Sequence, residues 1–106
     1  MPKNMVKYRK IKEKDIMNKE RRKELSKICK ELEIVKDTID SLDYRIECEL
    51  DAEDFSFNNL TDGLQATARG QAMENAVDAM DDARRALKSA TNEIKEAVKN
   101  LLNAQM

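Results

Sequence analysis

With 39% of its 106 residues charged, no histidine, two glycines and a single proline, this chain has little material for turns, sheets or imidazole chemistry. That composition excludes a His-based catalytic triad, a His-dependent metal centre and a turn-rich β fold, and it points to one mostly helical domain that is not an enzyme. The formal net charge of −1 hides a division: residues 1–23 carry ten basic side chains against three acidic ones, so the remainder stands at −8.

The basic segment comes first. Helix formers dominate MPKNMVKYRKIKEKDIMNKERRK, but Met5, Val6, Tyr8, Ile11, Ile16 and Met17 follow no single stripe. It reads as a helical extension or arm on a domain spanning residues 1–106, with Lys7, Arg9, Lys10, Arg21 and Arg22 as candidate contacts to phosphates or an acidic surface. A solvated or partner-bound helix is the plainer reading of the same cations. No apolar signal core is evident near the N-terminus and no long apolar run occurs anywhere, so neither classical secretion nor a membrane span is expected.

From Lys3 to about Leu50 there is neither Gly nor Pro, and Leu25, Ile28, Leu32, Val35, Ile39, Leu42 and Ile46 recur at alternating steps of three and four. This predicts a helix over about 3–50 with a heptad seam of large side chains. Fully burying those side chains would stabilise by roughly 10–20 kcal/mol before the cost of ordering the chain is subtracted. Cys29 and Cys48 fall on this helix, roughly 28 Å apart along its axis, too far for a bridge. Free thiols in a reduced, cytoplasmic setting are expected.

The stretch DAEDFSFNN predicts the turn at about 51–59, with Phe55 and Phe57 plugging the end of a hairpin and Asp62, followed by Gln65, capping the next helix. Its carboxylates do not make a calcium loop, because Phe55 and Ser56 stand where such a loop needs an oxygen ligand and a glycine. Gly63 and Gly70 fall in the first turns of the second helix, where each costs about 1 kcal/mol relative to alanine unless a neighbour must come close. A pivot near residue 55 would set Ile46 against Leu64 and Leu25 near Arg85. Leu87, Ile94, Val98, Leu101 and Leu102 would then lack cover.

The second helix is predicted over about 60–104. Met73, Met80, Leu87, Ile94 and Leu101 take every a position of its heptads, and Ala76, Ala83, Ala90, Ala97 and Ala104 every d position. Alanine at alternate layers lets a neighbouring backbone approach closely. Met80, Ala83, Leu87, Ala90, Ile94, Ala97, Val98 and Leu101 are therefore the expected partner-binding residues, and dimerisation is expected to complete a bundle. Ala90→Leu should overpack this seam and weaken association, while Ala90→Ser should be mild, a contrast that a melting curve and a molecular-mass measurement would read. Asp78, Asp81 and Asp82 beside Arg84 and Arg85 read as a solvated charged face.

ARGQAMENAVDAMDDARRAL, Ala68 to Leu87, with Gly70 and Ala72 opening the second helix, resembles the WXG-type helical-hairpin family. Ala68 stands where that family has its tryptophan, and neither Tyr8 nor Tyr44 is followed at the fourth place by Asp or Glu, so the likeness is to divergent accessory members. The resemblance implies two long antiparallel helices, no cofactor, and service as a type VII secretion accessory or small substrate. It also implies a helical partner, such as a secreted toxin's targeting region, and adds export by that route to the cytoplasmic expectation. The residues by themselves leave two other readings open: a nucleic-acid-binding dimer using the basic arm, and a phage or structural coiled-coil scaffold.

Overall fold

In the computed structural model the backbone is described for residues 3–105 and the side chains for residues 19–105. Three helices follow in order: α1 (Lys3–Asn58), the single turn α2 (Asp62–Gln65) and α3 (Ala68–Ala104). No strand occurs among the described residues. The two long helices pack against each other as an antiparallel hairpin, the all-α architecture expected from the two heptad patterns. At 1.5 Å per residue the 56 residues of α1 set the long dimension of a rod 90 Å long and only 17 by 15 Å across.

The turn lies later than the sequence suggests. α1 runs through Asp51–Asn58 because Leu50, Glu53, Phe57 and Leu60 keep its half-buried heptad row going, and nothing in DAEDFSF forbids helix. Phe57 packs on that row, whereas Phe55 is 69% exposed, so only one of the two phenylalanines plugs the hairpin end. The cap is also different: Thr61, and not Asp62, accepts from the backbone N–H of Leu64 to start α2, and Thr67 accepts from Gly70 N–H at 3.3 Å to start α3. Removing the latter cap with Thr67→Ala should cost about 1 kcal/mol by denaturant titration. Gln65, freed from any capping role, donates through Nε2 to the carbonyls of Phe57 and Leu60, both at 3.2 Å, and ties α2 to the end of α1.

Moving the corner to residues 59–67 changes which residues face each other. Ser26 Oγ donates to Gln105 Oε1 at 2.8 Å, and Arg84 reaches both Asp43 and Glu47. The large apolar residues of α1 therefore run beside the whole of α3, not beside its first half alone. Leu87, Ile94 and Leu101 are half-buried and Val98 is buried, contrary to the under-covering expected from a pivot near residue 55, whereas Leu102 is exposed as that expectation had it.

Candidate functional site, an open apolar face

Both seams turn out to be built from the a row and its e neighbour. On α1 the covered a and e positions are Leu25, Cys29, Leu32, Lys36, Ile39, Asp43, Ile46 and Leu50, with Ile28 at d half-buried beside them. On α3 they are Gly70, Met73, Val77, Met80, Arg84, Leu87, Thr91, Ile94, Val98 and Leu101, of which Gly70, Thr91 and Val98 in the e row are buried, while Ala76, Ala90 and Ala97 in the d row are only half-buried. The a residues are those read from the sequence; the second row is not the d row. An alanine methyl offers an opposing helix fewer contacts than Val77, Thr91 or Val98, and only the e row carries an arginine able to bridge the helices. α3 is rolled accordingly. Among the described residues Cys29 and Val98 are the most buried apolar side chains and none is completely enclosed, so the core is thin.

The e side is closed by polar contacts. Arg84 donates from Nε to Asp43 at 3.0 Å and from Nη2 to Glu47 at 3.2 Å, a fork that spans the two helices. The hydrogen bond to Asp43 and the negative charge around it raise the guanidinium pKa above its ordinary value. A raised folded-state pKa means that the stabilisation is complete below the unfolded value and is lost only as pH climbs through the folded one, in strongly alkaline solution. Arg84→Lys should therefore lower the melting temperature at neutral pH, because an ammonium cannot fork, and added salt should shrink the difference between the two proteins. Around this bridge lies a polar cleft of about 380 Å³ that Asp40, Asp81, Lys88 and Lys95 help to line. Arg85 pairs with Asp81 at 2.8 Å and with Asp82 at 3.5 Å on the charged face expected of that stretch, but Arg84, expected on the same solvated face, is half-buried between the helices instead.

The opposite side, carrying the d rows of both helices and the alanine g row of α3, is open, with exposed apolar side chains set among Glu31, Arg45 and Glu49 of α1. Val35 is 46% exposed and Leu42 42%, and Ile34 beside them reaches 65%. Across from them on α3 lie Ala72, Ala79, Ala83 and Ala86, all exposed, with Ala76, Ala90 and Ala97 half-buried. Between the helices on this side runs a groove of about 710 Å³ walled by Leu42, Ile46, Ala79, Met80, Ala83 and Leu87, with Arg45 and Glu49 at its edge. Of the alanine row foreseen as a contact surface, Ala83 walls this open groove, while Ala76, Ala90 and Ala97 are half-buried. Of the residues expected to bind a partner, Met80, Ala83 and Leu87 line this groove, Ala90 and Ala97 continue its row, and Val98 is taken up by α1. Leu42 and Ile46 complete it from α1, a contribution that the focus on the second helix missed although their heptad positions announced it.

Arg21 and Arg22 are exposed, as are Lys19 and Lys23, and they precede the point where Ser26 meets the last turn of α3. Lys7, Arg9 and Lys10 lie outside the described side chains. Cys29 and Cys48 are both free thiols, the first buried in the seam and the second exposed. Among the described residues, no three of His, Cys, Asp or Glu converge as a metal site would need, and no helix is long and apolar enough to cross a membrane. Comparison of the chain with protein-family models, with curated proteins and with solved structures gives no match.

Proposed function

We propose that this chain is a non-catalytic helical-hairpin interaction protein that works by docking its open d and g face onto another pair of helices. The observation carrying this reading is the asymmetry of the ribbon: ion pairs close one side, while the other presents Ile34, Val35, Leu42 and the groove's Ala79 and Ala83 to solvent. An exposed apolar groove of that kind favours a partner, because covering it adds the burial that a two-helix core lacks. The partner is a second copy or another helical protein. In its most specific form the reading is a type VII secretion accessory pairing with a toxin's helical targeting region, and that form rests on the resemblance of Ala68–Leu87 to the WXG-type hairpins.

Docking makes the melting temperature depend on the concentration of whatever docks. For the wild-type chain, alone or mixed with helical products of neighbouring genes, the melting temperature is expected to rise with concentration. Ala83→Arg, at an exposed groove position, should abolish that rise while leaving helicity intact. Concentration-independent melting in every mixture, unchanged by Ala83→Arg, would defeat the reading.

A second reading is favoured by Lys19, Arg21, Arg22 and Lys23, which stand exposed at the hairpin's open end. In it the basic segment holds nucleic acid and the hairpin serves as a dimerising platform. Its mark is steeply salt-dependent DNA or RNA binding that disappears when residues 2–23 are removed. Absence of any binding by the intact chain eliminates it.

A further inference from the structure

We infer that the occupant of the open face is a second copy of this chain, lying antiparallel with its two-fold axis at Thr38; this deepens the docking reading and rests on it. The outer stripe of α1 is self-complementary about that residue. When positions equally far before and after Thr38 are set face to face, Glu31 meets Arg45 of the second copy, Lys27 meets Glu49, and Ile34 meets Leu42, each contact occurring twice. Ile28 meets Cys48 in the same way. These pairings keep heptad register, c against d and g against g, so one straight antiparallel contact satisfies them together.

Charge sets the orientation. In a parallel pair with a two-fold along the rod, Glu31 would lie on Glu31, Arg45 on Arg45 and Glu49 on Glu49, which like-charge repulsion opposes. The groups are available for the antiparallel arrangement: no ion pair among the described residues engages Lys27, Glu31, Arg45 or Glu49. Thr38, at the axis, already donates its hydroxyl to the carbonyl of Ile34 at 2.9 Å and can be covered without losing a partner. Short alanine side chains on α3 leave room for the second hairpin to settle across both helices.

Sedimentation equilibrium on the full chain tests this with a charge swap. Arg45→Glu and Glu31→Arg, both at exposed positions, should each weaken the dimer about tenfold or more, and the two together should return it to within about threefold of wild type. Circular dichroism on all four proteins should show the same helicity. Single variants that dissociate like wild type, or a double variant that stays weak, would overturn the inference. A wild-type chain that is monomeric at every concentration would overturn it too, yet would leave docking onto a different helical protein standing, whereas an inert Ala83→Arg in all mixtures removes both.

Discussion

Val98→Asp should unfold the hairpin readily, lowering stability by about 3 kcal/mol and the melting temperature by more than about 10 °C. Val98 is only 8% exposed, one of the two most buried apolar side chains described, so a carboxylate there would sit without a partner between α1 and α3. Leu102, one turn on and 52% exposed, is the control: Leu102→Asp should stay within about 0.5 kcal/mol of wild type. Equal effects from the two substitutions would mean that α3 is not seated on α1 through its e row.

The two glycines should respond in opposite directions. A methyl group on Gly70 would overlap the backbone of Gln65, meeting its carbonyl oxygen, its carbonyl carbon at 2.6 Å and its Cα at 2.8 Å. Gly70→Ala should therefore cost about 1–3 kcal/mol, since the corner between α2 and α3 must open to admit it. Gly63 has nothing within 4 Å of the same hypothetical methyl and no positive φ, so Gly63→Ala should stabilise by about 0.4–1 kcal/mol through the unfolded chain. Chemical denaturation of the two variants side by side checks the sign as well as the size. Destabilisation by both would show that α2 is not helical in solution.

Much of this architecture could be read from spacing alone. Leu25, Leu32, Ile39 and Ile46 on α1, and Met73, Met80, Leu87, Ile94 and Leu101 on α3, form the a rows of two heptad patterns that do meet. The choice between their neighbours could not be read in the same way, because steps of 3,4 and 4,3 share every a residue and differ only in the row beside it. Apolarity singled out the d row, yet the intramolecular contact uses the e row, where Arg84 can reach Asp43 and Glu47. A salt bridge between residues 41 places apart leaves no local trace. The corner was misplaced for a related reason: Asp, Asn and Ser near residues 51–59 favour turns in isolation, but Phe57 and Leu60 continue the packed row and hold that segment helical up to Asn58. What remained of the d-row pattern, Val35 and Leu42 on α1 and the alanines on α3, is the candidate interface itself. Its apolar character was legible; its openness to solvent was not.

The groove beside Leu42 and Ala83 carries the whole functional account, and size-exclusion chromatography with light scattering tests it most directly. For the wild-type chain the mass should exceed the 12.2 kDa of a single copy and approach twice that value as concentration rises, and Leu42→Glu with Ala83→Glu should return it to one copy with helicity unchanged. A wild-type chain that elutes at 12.2 kDa at every concentration and in every mixture with candidate helical partners would contradict the account.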